Sequence, residues 1–142
     1  MKSFLISATL VYAASLPGAA LADNHQPLLG TWAGTSHTAV MGDAKHHDEA
    51  DGAGVEFVRT DLVMVIEAEE GRNFAGFLMS ASDNEPIAGA FMADMVHGIY
   101  VDSDGSATIK RVGADRLEVC YVHVPSPGNQ SSVAACIDFE RQ

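Results

Sequence analysis

Short runs of alternating apolar and polar residues fill the chain from Gly30 to its last residues, and Gly, Asn, Asp or Pro turns part them. Alternation of period two sends successive side chains to opposite faces, so each run is a strand with one wet and one dry side. There are about eight such runs, with no stretch of helical period among them. Strands that follow one another across short turns pair as hairpins, and the row of hairpins loses its unpaired edges only by closing on itself. The expected fold is therefore all-β, an up-and-down antiparallel barrel of about eight strands.

The expected strands are residues 31–41, 56–69, 72–80, 87–92, 97–101, 107–111, 117–124 and 132–141. Asp83-Asn84-Glu85-Pro86 reads as a turn, and Asp104-Gly105 is a strong hairpin dipeptide. Only the connection 42–54 is long, and His46, His47, Asp48 and Glu49 make it too polar for a core element.

Residues 1–22 read as an export signal: Lys2 gives the positive end, the stretch from Phe4 to Leu16 the apolar core, and Ala20-Leu21-Ala22 the small-residue cleavage pattern. The apolar core is shorter than the roughly 20 residues a membrane helix needs, and Pro17 and Gly18 interrupt it. Residues 23–142 then form a single β-barrel domain, exported to a periplasmic or secreted location, with no membrane span in the mature protein. The formal charge of the whole chain is −11, with 8 Lys and Arg against 19 Asp and Glu. Such a surface repels a phosphate backbone, so nucleic acid is excluded as a partner.

The two cysteines test the strand pattern. If Cys120 faces Cys136 across an antiparallel pair, the same register sets Tyr121 against Ala135, Val119 against Ile137 and Leu117 against Phe139. All six of those residues are apolar or aromatic and share one face, while the cysteines share the other with Glu118 and Asp138. A slip of one residue would exchange the faces, so the agreement fixes the register. The pair reads as a structural disulfide, favoured by an oxidising compartment, and the absence of a Cys-x-x-Cys spacing argues against a redox role.

Leu29-Gly30-Thr31-Trp32 opening a series of hairpin strands resembles the lipocalin and avidin group of calycin barrels, whose first strand begins with a Gly-x-Trp signature. The resemblance implies that Trp32 closes one end of the barrel and that a basic residue of the last strand packs across its ring. Arg141 continues the inward phase of Val133, Ala135, Ile137 and Phe139, and pairing of the last strand with the first brings it beside Trp32. Avidin-like biotin sites use several tryptophans, and this chain has one, so biotin is not the expected ligand.

With Trp32 at the closed end, the long loop hangs over the open mouth. Ser36 and Thr38 from the first strand and Tyr121 and His123 from the seventh then fall near the rim, above an apolar interior that includes Met64, Ile66, Phe74 and Leu78. Ser36, Thr38, Met64, Tyr121 and His123 are the candidate ligand contacts, since an apolar pocket with a few polar groups suits a small molecule. A barrel of this size is also narrow enough to be filled by its own side chains.

His46 and His47, with His37 and His123 as further donors, are the candidate metal ligands, although adjacent residues make a poor chelate and no His-Glu-x-x-His pattern is present. Asp102-Ser103-Asp104-Gly105 resembles a calcium loop only at its start, and a hairpin turn accounts for it. Asn129-Gln130-Ser131 matches a glycosylation acceptor. Since no nucleophile elbow, phosphate loop or Ser/His/acid arrangement is found, no catalytic residue and no cofactor are assigned.

The leading expectation is an exported, noncatalytic barrel that binds a small apolar or amphipathic ligand at its open end. The alternatives are a protein-interaction module such as a secreted protease inhibitor, working through the rim and residues 23–29, or metal binding by the His46/His47 loop.

Overall fold

The computed structural model describes residues 26–42, 54–123, 125 and 131–142. The expected signal sequence, His46, His47 and Asn129 lie outside the described residues. Eight strands succeed one another: β1 (Gly30–Met41), β2 (Val55–Glu70), β3 (Asn73–Met79), β4 (Asn84–Phe91), β5 (His97–Val101), β6 (Ser106–Arg111), β7 (Arg116–His123) and β8 (Ser132–Arg141). Each pairs antiparallel with its sequence neighbours, and β8 pairs with β1, so the sheet is a closed barrel. Among the described residues there is no helix, and none therefore that could cross a membrane.

Strand alternation behaves as the sequence requires. Val133, Ala135, Ile137 and Phe139 of β8 are buried, and the residues between them are exposed. Cys120 pairs with Cys136 and forms a disulfide, with Cα atoms 4.1 Å apart, and the three flanking inward pairs fall in the expected register. One boundary departs from expectation: Asn84, Glu85 and Pro86 belong to β4 rather than to a turn. There β4 has β3 on one side, and its pairing with β5 begins only at Ala88. A one-sided stretch tolerates a residue without an N–H.

A β-bulge in β2 changes the phase of that strand. Ile66 pairs with Gly76 but Ala68 pairs with Ala75, so Glu67 is the extra residue. Met64 and Ile66 point inward before it; after it the inward position falls on Glu69 instead of Ala68. Gly76 lets the strands approach beside the bulge, since a Cβ there would collide with the Val65 carbonyl oxygen and lie 2.9 Å from Ile66 Cα. Gly76→Ala should therefore destabilise the barrel by about 2 kcal/mol, read as a lower urea midpoint at unchanged slope. An unchanged midpoint would mean that the backbone yields there without cost.

The closed end is built around Trp32. Its indole is 1% exposed, its Nε1 donates to the Leu28 carbonyl at 2.9 Å, and the Arg141 guanidinium lies 4.1 Å over its ring. Arg111 covers Phe91 in the same manner at 4.6 Å. The segment 26–29 is held across this floor by backbone carbonyls that accept from the terminal nitrogens of both arginines. Arg141 donates to the Leu29 and Pro27 carbonyls, Arg111 donates to the Gln26 carbonyl, and the Leu28 N–H donates to Glu69 at 2.7 Å. Leu28 is fully buried as the stopper.

Glu69 also lies 3.4 Å from Arg111, so the bulge supplies a carboxylate that balances this largely buried guanidinium. At the neighbouring turn Met95 takes a positive φ of 56° and buries its side chain against the core. Asp94 braces that turn, accepting hydrogen bonds from His97 and Val96; these hold its carboxyl down at about 2.

Candidate functional site

Because consecutive strands alternate in direction, β1, β3, β5 and β7 all finish at the end opposite Trp32. Inward side chains toward that end surround a cavity of about 160 Å³. One wall comes from β1 and β8, which contribute Ser36, Thr38, Val133, Ala135 and Ile137. Thr60, Leu62, Leu78 and Met79 of β2 and β3 continue it. The facing wall carries the acidic and aromatic groups: Glu85, Tyr100, Asp102, Asp104, Tyr121 and His123.

Ser36 and Thr38 are buried on one strand face, and the Thr38 hydroxyl donates to Ser36 Oγ at 3.1 Å. Tyr121 donates from its hydroxyl to Asp102 Oδ1 at 3.1 Å and meets the His123 ring edge to face, with centroids 6.1 Å apart. His123 Nε2 is 2.9 Å from the hydroxyl of the buried Ser131, which anchors the ring to the far side of the β7–β8 connection. Four of the five candidate ligand contacts are thus brought together.

Met64 is not among them. It pairs with Trp32 on one side and Leu78 on the other, one level nearer the closed end, and is fully buried in the core. Ile66 and Phe74 are core residues as well, while Leu78 reaches the cavity. Alternation gives the face of a residue but not its height in the barrel, and height is what separates Met64 from the site.

His37 points outward, opposite the disulfide, whereas His123 points in, so these two do not share a site. Among the described residues no three His, Cys, Asp or Glu side chains gather as a metal site. Asp102 caps the β5–β6 hairpin through its own carboxylate, accepting the N–H of Asp104 at 2.9 Å and of Gly105 at 2.7 Å. Gly105 is required by packing, since a Cβ there would lie 2.6 Å from the Tyr121 hydroxyl.

Tyr100 and Asp102 join the site beyond the expected contacts, and the sequence carries a signal for both. Tyr100 holds an inward phase in the run 97–101, and the turn after that run must lie at the open end once Trp32 is set at the other. Both tyrosine hydroxyls are pushed well above their ordinary range, first by burial and then by the nearby Asp102 carboxylate, so they stay protonated.

The cavity is smaller than the roughly 300 to 1,000 Å³ of pockets that enclose drug-sized ligands. A hole of about 150 Å³ lined by apolar side chains takes a single benzene ring, and this one is of that order. No protein-family model matches the chain, and neither a curated protein nor a solved structure matches it.

Proposed function

We propose that this protein is an exported, noncatalytic barrel that binds a small apolar or amphipathic molecule at its open end. The observation that carries the reading is the cavity itself: a closed barrel sealed by Trp32 and Leu28 at one end keeps about 160 Å³ of space at the other, between an apolar wall and a polar one. A barrel filled by its own side chains would leave no such space. The disulfide agrees with an oxidising location outside the cytoplasm. The closed eight-strand sheet and the cation-covered indole support the likeness to calycin barrels. Fold likeness says nothing of the ligand, which has to be argued from the site.

The interaction-module alternative works through the rim and needs residues 23–29 to reach a partner. Gln26, Pro27, Leu28 and Leu29 are instead spent on the barrel floor through Arg111, Arg141 and Trp32. This favours the carrier reading over that one.

The test is uptake of toluene by the disulfide-bonded chain, followed by NMR of the Leu62, Leu78 and Ile137 methyl groups, which line the cavity. Saturable shifts confined to these methyls are expected, with affinity lowered about fivefold or more in Ala135→Leu, which fills the space by roughly three carbons. Absence of any shift at millimolar probe would overturn the proposal.

A further inference from the structure

We infer that the open-end cavity takes a small organic cation: an ammonium group carried on one ring or a short apolar body, with its charge at Asp102 Oδ2 and the Tyr100 hydroxyl. The inference depends on the carrier reading and adds the charge and size of what is carried.

Two polar atoms in the cavity wall await a partner. Asp102 Oδ1 is fully engaged, taking the N–H groups of Asp104 and Gly105 and the hydroxyl of Tyr121. Three donors on one oxygen hold the carboxylate rigidly, and Oδ2 is left buried with no hydrogen-bond partner. Tyr100 is 0% exposed, lines the same cavity, and its hydroxyl has no partner either. A buried carboxylate oxygen left unpaired carries its full desolvation cost, so an occupant gains most by bringing a donor. An ammonium is donor only, with three N–H bonds to distribute, and its bonds to a carboxylate are charge-assisted.

The charge of the Asp102 carboxylate selects the cation over a neutral donor. Asp83, Glu85 and Asp104 also line the cavity but are engaged in contacts of their own, so the selecting charge is that of Asp102. Tyr100 and Tyr121 stay neutral, as argued above, and His123 is engaged with Ser131. An anion is repelled by that buried carboxylate, and an alcohol or amide would use the hydrogen bonds but not the charge.

A bare metal ion fits less well, because no three ligating side chains converge among the described residues. Across the cavity Leu62, Leu78 and Ile137 offer a wall that only a carbon framework can use. The volume of about 160 Å³ limits that framework to about one ring.

The experiment compares benzylamine, benzyl alcohol, toluene and benzoate at pH 7 on the disulfide-bonded chain, by calorimetry and by shifts of the cavity methyls. Benzylamine, cationic at that pH, should bind about tenfold or more tightly than benzyl alcohol, and benzoate should not bind. Raising the salt concentration should weaken benzylamine alone. Asp102→Asn, which keeps an oxygen to cap the turn, should lower benzylamine affinity about tenfold or more and so remove its preference over benzyl alcohol. Tyr100→Phe provides a second reading and should weaken benzylamine by a few-fold. Equal affinity for benzylamine and benzyl alcohol would overturn the cation inference while toluene uptake kept the carrier reading intact. If no probe bound, toluene included, both would fall together.

Discussion

Trp32→Ala should cost about 4 kcal/mol of folding stability, close to the upper range for emptying a core position. The loss has three parts. The indole is almost wholly buried, its N–H leaves the Leu28 carbonyl without a donor, and the Arg141 guanidinium loses the ring beneath it. Domains of this size are stable by only about 5 to 15 kcal/mol, so the variant would hold a much smaller margin.

Urea unfolding followed by far-UV circular dichroism measures the effect, because Trp32 is the single tryptophan and its fluorescence leaves with it. Trp32→Phe keeps a ring under Arg141 and loses only the hydrogen bond and some area, so its cost should be roughly 1 to 2 kcal/mol. A Trp32→Ala cost under about 1 kcal/mol would show that the floor is held by the arginine bonds to residues 26–29 and not by the indole.

Removing the disulfide should be nearly as severe. Cys120 and Cys136 are 16 residues apart, and releasing a loop of that length costs about 3 kcal/mol in the chain-entropy account. Both cysteines lie on the exposed face of β7 and β8, so Cys120→Ser with Cys136→Ser opens no cavity in the core. The stability should fall while the native spectrum stays the same, because the ladder between the two strands persists without the bond. The parent protein measured in reducing agent should reach the same urea midpoint as the double variant. A midpoint that did not move on reduction would show that the unfolded chain is already restrained near this hairpin.

The parts of the molecule legible in the sequence are those decided by period two and by pairing arithmetic. Facing cysteines fixed which residues of β7 and β8 look inward, and their phase carried Arg141 to Trp32, where it is found. Topology placed Ser36, Thr38, Tyr121 and His123 at one end because alternate strands must finish there. Each of these readings uses only local alternation and the antiparallel rule.

Other features needed coordinates because they depend on events that alternation does not record. The bulge at Glu67 shifts β2 by one residue, and no pattern in Glu67-Ala68-Glu69-Glu70 says which carboxylate turns inward; the answer, Glu69, came from the shifted pairing with β3 beside Gly76. Arg111 is inward in the plain phase of β6, yet its role as a second arginine over a second ring required Phe91, Glu69 and residues 26–29 to meet there.

The sequence by itself determined a closed barrel and its register at the disulfide, since these follow from side-chain period and from the need to leave no strand edge unpaired, while the sealed end followed from the resemblance of its Gly-x-Trp opening to calycin barrels. Only the tertiary structure decided that the open end keeps a hole, how high each inward residue sits around it, and that one carboxylate oxygen of Asp102 and the hydroxyl of Tyr100 are left buried without a hydrogen-bond partner in residues that line it. The physical reason is that space and unmet hydrogen bonds are properties of many side chains packed together, set by differences of an ångström that no single strand contains.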